Sequence, residues 1–191
     1  LGKYRDFLLW GTLYVYIFLY LFVYLAFIFI IDMIHSFYNI VSVLAVSLPF
    51  ILLLVMQWII LYFSVGDNKR KYKKRFKGIT IFGAVLFSFC IVQLGVNEYN
   101  SKFHTDRWLK NEQKRVYMVD DLLAKHKLVR KSKEEMIQLL GNPTETRRLE
   151  ETTQTLYYLG NERGFISIDS ECLVLQFDHD DKVIEYTIQK D

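Results

Sequence analysis

Apolar positions are unevenly distributed along the chain. Phe7 to Ile31, Ile40 to Val65 and Ile79 to Val96 are runs of 25, 26 and 18 residues without a charged side chain. A hydrocarbon core of about 30 Å takes about 20 helical residues at about 1.5 Å each. The first two runs are long enough to span with some tilt, and the third is just long enough. Three such runs within the first 96 residues exceed what a soluble domain of that size can cover. The first run is too long for a signal peptide and lacks a small-residue cleavage site. The pattern predicts a multi-pass helical membrane protein with spans at about 7–31, 40–65 and 79–96.

Beyond Glu98 the periodicity changes. Leu109, Val116, Val119 and Leu123, with Trp108 and Leu122 beside them, predict a helix over Thr105 to His126. Ser132-Lys133-Glu134-Glu135 fits a capping box, with Ser132 at the N-cap and Glu135 at the third helical position. Met136, Ile137, Leu139 and Leu140 supply the apolar stripe, Gly141 the helix-ending conformation, and Pro143 the block to resumption. Strands are expected at Thr155 to Leu159, at the alternating Leu173, Leu175 and Phe177, and at Ile184, Tyr186 and Ile188. Phe165 to Ile168 reads as a short strand or a loop, and Asp178 to Lys182 as a hairpin connector. The expected architecture is a three-span helical membrane domain over 1–97, then a small α+β domain over 98–191. That domain packs two helices on a three- to four-stranded antiparallel sheet.

Composition matters only once it is located. The overall 52% hydrophobic and 24% charged residues average two unlike halves. Nine of the 24 Lys/Arg and three of the 21 Asp/Glu precede Glu98, so the membrane half carries +6 and the rest −3. Seven of the nine are Lys69, Arg70, Lys71, Lys73, Lys74, Arg75 and Lys77, in a loop expected over 67–77. Lys3 and Arg5 precede the first run, and the connection Asp32 to Asn39 has no Lys or Arg. By the positive-inside rule, the N-terminus and the basic loop are cytoplasmic and the C-terminal domain lies outside the cytoplasmic membrane. The seven cations are read first as topology determinants and second as a site for anionic lipid headgroups. Topology accounts for the positive balance, and no nucleic-acid partner is expected.

Candidate chemistry is sparse. Gln57 and Gln93 are the only large polar side chains inside the spans, and no ionisable Asp, Glu, Lys, Arg or His lies well within them. Proton relays and ion pathways need such groups. Tyr16, Tyr20 and Tyr24 recur every four residues after Thr12, on one face of the first helix. Together with Gln57 and Gln93 they are assigned to helix–helix packing, and Pro49 is expected to bend the second helix. Asp178, His179, Asp180 and Asp181 have metal-ligand chemistry but lack the spacing of a calcium loop, and read as a solvated turn. Cys90 and Cys172 fall in different halves and are not expected to pair. No catalytic, cofactor or metal site is assigned. There is no phosphate loop, zinc-protease, nucleophile-elbow or dinucleotide motif.

The run Ser132-Lys133-Glu134-Glu135-Met136-Ile137-Gln138-Leu139-Leu140-Gly141-Asn142-Pro143 is followed by Leu156-Tyr157-Tyr158, then by Leu173-Val174-Leu175-Gln176-Phe177-Asp178 with Val183. Together these resemble the BamE-like (SmpA/OmlA) domain family, across Asp106 to Ile188 and none of the membrane half. The resemblance implies a two-helix, three-stranded extracytoplasmic fold. That family usually has a glycine just before the capped helix, a position near Arg130 here, and the hairpin glycine is replaced around Asp181. Three membrane helices stand in place of the lipoprotein cysteine. In overall shape the chain resembles uncharacterised membrane proteins of Gram-positive bacteria, so the domain type carries over and the barrel-assembly role does not.

The leading expectation is a non-enzymatic protein of the bacterial cytoplasmic membrane, presenting an extracytoplasmic domain to a protein or envelope component. Its expected partners are the lipid bilayer and another protein, bound through the sheet or a strand edge. One alternative is a sensor or accessory subunit acting through its membrane helices. A second is an envelope enzyme or metal-binding domain built on Asp178 to Asp181.

Overall fold

The computed structural model describes residues 2–64, 67–149, 152–164 and 168–190. They form two compact units, Leu1–Glu98 and Tyr99–Asp191.

The first unit consists of α1 (Gly2–Met33), α2 (Ile40–Phe63) and most of α3 (Asp67–Ser101). All three helices are long and apolar enough to cross a membrane, by length and composition, as a membrane protein requires. Asn39 caps α2, its side-chain oxygen accepting the N–H of Ser42 at 2.8 Å. The basic segment expected as a loop is instead the start of α3. Lys and Arg are good helix formers, and no Gly or Pro interrupts the segment before Gly78.

Large apolar side chains point outward from this bundle, among them Phe18 (71% exposed), Ile40 (80%) and Trp58 (65%). Its interior holds Leu13, Tyr20, Tyr24, Leu53, Cys90 and Leu94. Large apolar groups outside, with Tyr20 and Tyr24 inside, is the arrangement lipid favours, because lipid satisfies no polar group.

The second unit is α+β. Its helices are α4 (Thr105–Lys110), a single 3-10 turn (Glu112–Lys114), α5 (Arg115–Lys125) and α6 (Lys133–Leu140). A four-stranded antiparallel meander follows, of β1 (Glu145–Arg148), β2 (Thr153–Asn161), β3 (Ser170–Phe177) and β4 (Val183–Lys190), in that spatial order. Registers Tyr157↔Leu173↔Ile188 and Thr155↔Leu175↔Tyr186 fix which side chains share the helix-covered face. Trp108, Val116, Val119, Leu122, Met136 and Leu140 pack there against Tyr157, Leu173, Leu175 and Phe177.

Two details of this unit differ from the sequence reading. The single helix over Thr105 to His126 is broken at Asn111, whose backbone is extended (φ −141°, ψ 92°). The apolar spacing therefore does not form one stripe, and Leu109 is half-exposed while Trp108 and Leu122 are fully buried. The break is held by Arg115, buried to 3% exposure, whose Nε donates to the Trp108 carbonyl at 2.8 Å. Its NH1 donates to the Tyr158 carbonyl at 3.2 Å, tying the break to β2. β1 was not expected as a strand, because its Glu-Thr-Arg-Arg carries no apolar alternation. The possible strand at Phe165 to Ile168 lies largely outside the described residues.

Candidate functional site

In the membrane unit Tyr16, Tyr20, Tyr24, Gln57 and Gln93 are turned inward, toward the neighbouring helices. The Tyr16 hydroxyl donates to the Pro49 carbonyl at 2.6 Å, Tyr24 to Val46 at 2.7 Å, and Tyr20 to Gly83 at 2.8 Å. Pro49 has no N–H for the carbonyl four residues back, and both α2 acceptors lie on that same turn. Two tyrosines thus fasten α1 to the turn of α2 that Pro49 leaves one bond short, and the third joins α1 to α3. Gly83 permits that approach. A Cβ there would lie 2.8 Å from a Leu53 methyl and 3.2 Å from the Tyr20 hydroxyl. Gln57 accepts from the Thr80 hydroxyl at 2.7 Å, and Gln93 donates to the Ile28 carbonyl at 3.4 Å. Asn97, absent from the sequence reading, donates to the carbonyls of Ile31 and Ser36. A lone asparagine near the end of an apolar run gives no periodic signal by which to find it.

Lys69, Arg70, Lys71, Lys73, Lys74, Arg75 and Lys77 are all exposed on the first turns of α3. Tyr72 and Phe76 from the same turns are buried. Trp10 packs edge-on against Tyr72 at 4.9 Å between centroids, and Arg75 lies 5.6 Å from the Trp10 ring centre. An aromatic anchor beside a cationic cluster suits a membrane–water interface.

In the α+β unit, the capping box is complete. The Glu135 N–H donates to Ser132 Oγ at 3.3 Å, and the Ser132 N–H to Glu135 Oε2 at 2.8 Å. That N–H and the Lys131 ammonium hold the Glu135 carboxyl below its ordinary pKa. At the other end, Gly141 takes φ 81°, and a Cβ there would collide with Leu109. Trp108 Nε1 donates to the Leu140 carbonyl and the Tyr157 hydroxyl to that of Gly141, so the helix end is satisfied ahead of Pro143. Ser132, Glu135, Gly141 and Pro143 thus delimit a short helix rather than a reactive centre.

The acidic hairpin is a turn with internal bonding. Asp178 Oδ1 accepts the N–H groups of Asp180 and Lys182, each at 2.9 Å. That bonding gives Asp178 a structural role. Among the described residues, no group of three His, Cys, Asp or Glu side chains is placed to hold a metal ion. Cys90 and Cys172 are both buried, in separate units.

The two sheet edges differ. β1 is four residues long, fully exposed and charged, a form of edge that resists pairing. β4 is eight residues long, with Ile184 and Tyr186 46% and 38% exposed. At its start the outer edge is paired: Arg130 N–H donates to the Val183 carbonyl at 2.8 Å, and Val183 N–H to that of Lys131 at 2.9 Å. Among the described residues, outer-edge backbone pairing stops there. Beside the open stretch lies a groove of about 340 Å³ between Tyr186 and the α5–α6 connection, with Leu123, Leu128, Val129, Lys127 and Arg130 in its walls. The sequence reading included a strand edge as a binding surface but not this groove, which needs residues 123–130 and 186 brought together.

Neither family models, curated proteins nor solved structures contain a match to this chain.

Proposed function

We propose that this is a multi-pass membrane protein whose α+β domain, held outside the cytoplasm, binds a protein partner through the β4 edge. The observation that carries the reading is the asymmetry of the sheet, with one edge short and charged and the other long, half-apolar and, among the described residues, unpaired beyond Val183. The cationic cluster from Lys69 to Lys77 supports a cytoplasmic start to α3, and the bacterial cytoplasmic membrane is the setting that the family resemblance implies.

The BamE-like reading of the domain gains support from its backbone. Arg130 and Asp181, near the places where that family has glycines, both adopt positive φ, of 74° and 54°. A left-handed conformation is what a glycine would serve there. On this reading the domain binds rather than catalyses, and Asp178 of the acidic hairpin serves the turn. The accessory-subunit alternative draws no support from the tyrosine face, whose hydroxyls are bonded to α2 and α3.

The test is site-specific photocrosslinking in native membranes, with the crosslinker at Thr187 of β4 and, as control, at Thr146 of β1. A discrete adduct from position 187 and none from 146 is expected. No adduct from position 187 contradicts the reading.

A further inference from the structure

We infer that the outer edge of β4 and the groove beside it take an extended segment of another protein, rich in acidic and apolar residues, as a fifth strand. The inference rests on the proposed function and names the chemistry of the partner.

Geometry sets the conformation of the occupant. Arg130 to Ser132 already run antiparallel to Lys182 and Val183, by the bonds at Val183 and a bridge between Ser132 and Lys182. A strand added further along the same edge continues a pairing that the fold begins. Its backbone would satisfy the outward N–H and C=O groups of β4. Because side chains alternate across a strand, every second one would face the helix-covered side, where Tyr186 lies in register with Leu175. On that side the groove offers Leu123, Val129 and Tyr186, and Val129 is 43% exposed. Apolar side chains fit there.

Charge sets the rest. From Leu122 to Lys133 the chain has five cations and no acid. Lys125 is paired with Asp121 and Lys131 with Glu135. Lys127 and Arg130, both in the groove walls and both exposed, have no ion-pair partner among the described residues. A partner carboxylate beside them gains Coulomb energy without breaking an existing pair. A second copy of this chain is a poorer occupant, because pairing β4 with itself brings the same two cations from each copy to one interface.

The test uses the full chain in phosphatidylcholine nanodiscs and a fluorescein-labelled ten-residue peptide in which valine and glutamate take turns at every second position, with threonine between, so that both face the groove; binding is read by anisotropy. Binding is expected, at least tenfold tighter than for the lysine–valine analogue. The K127E/R130E double variant should weaken it at least tenfold. The Lys69 to Lys77 cluster is intact in that variant, so such a loss assigns the peptide to the groove. A peptide N-methylated at alternate backbone nitrogens should also lose binding, since it cannot complete a strand pair. Equal binding of the two charge types, an unaffected double variant, or full binding of the methylated peptide each overturns the inference. So does a stable dimer crosslinked at Thr187 that excludes the peptide. Failure here with a partner adduct still formed from position 187 removes only the partner's chemistry, whereas loss of that adduct removes the proposed function itself.

Discussion

The backbone N–H of Arg130 donates to the carbonyl of Val183 at 2.8 Å, and Arg130 adopts a left-handed φ of 74° at that contact. The pair locks the entry to α6 against the start of β4, and does so with a residue type that resists that conformation. Left-handed backbone costs an ordinary L-residue about 1–2 kcal/mol, and aspartate tolerates it better than arginine. Arg130→Gly is therefore expected to raise the stability of the α+β domain by about 0.5–1 kcal/mol after the extra chain entropy of glycine is subtracted. Asp181→Gly should raise it by less. With Trp10 and Trp58 replaced by Phe, Trp108 is the only indole, and its fluorescence during thermal unfolding reports on this domain. Destabilisation by Arg130→Gly would contradict the account.

Gly160 sits at φ 122° beside the β2–β3 register shift, and a Cβ there would lie 2.3 Å from the Gln113 carbonyl oxygen. Both the dihedral and the backbone collision oppose any side chain. Gly160→Ala is expected to cost about 2–3 kcal/mol, seen as a lower Trp108 unfolding midpoint. An unchanged midpoint would show that the 3-10 turn does not press on β2 as described.

The membrane bundle is held by hydroxyls meeting carbonyls. Tyr24→Phe removes the bond to Val46 and is expected to cost about 0.6 kcal/mol, the average for such bonds between membrane helices. Gly83→Leu forces a side chain against Leu53 and Tyr20, and should cost about 1–3 kcal/mol. Unfolding in mixed detergent micelles, ranked across these two variants, checks the order. Equal or inverted effects would contradict the packing.

The parts legible in the sequence are those whose signal is local. Three charge-free runs announce three long helices, and Ser132, Glu135 and Gly141 announce both ends of α6. The break at Asn111 was not legible, because it depends on Arg115 reaching the Trp108 and Tyr158 carbonyls from either side of it in sequence. Nor was β1, whose alternation is erased by three charges. Of the candidate site, the long half-apolar strand was visible. The groove was not, because Tyr186 and Leu123 to Arg130 meet only after folding.

The capping box gives a pH dependence of definite sign. The Glu135 carboxyl lies below its ordinary pKa because the Ser132 N–H and then the Lys131 ammonium favour its charged form. Its contribution is therefore complete above the unfolded carboxyl pKa of about 4.3, and is lost as pH falls through the lower folded value. Glu135→Gln should lower the unfolding midpoint at neutral pH and bring it closer to wild type toward pH of about 3. A constant offset across that range would deny the carboxylate this role.

The account rests on the α+β domain facing away from the side that carries Lys69 to Lys77. The direct measurement is labelling of single cysteines with a membrane-impermeant maleimide, in a chain from which Cys90 and Cys172 have been removed. Asp180→Cys in the exposed hairpin is expected to label in intact cells, and Lys73→Cys only after permeabilisation. Labelling of position 73 in intact cells, with position 180 protected until permeabilisation, would invert the topology and contradict the account.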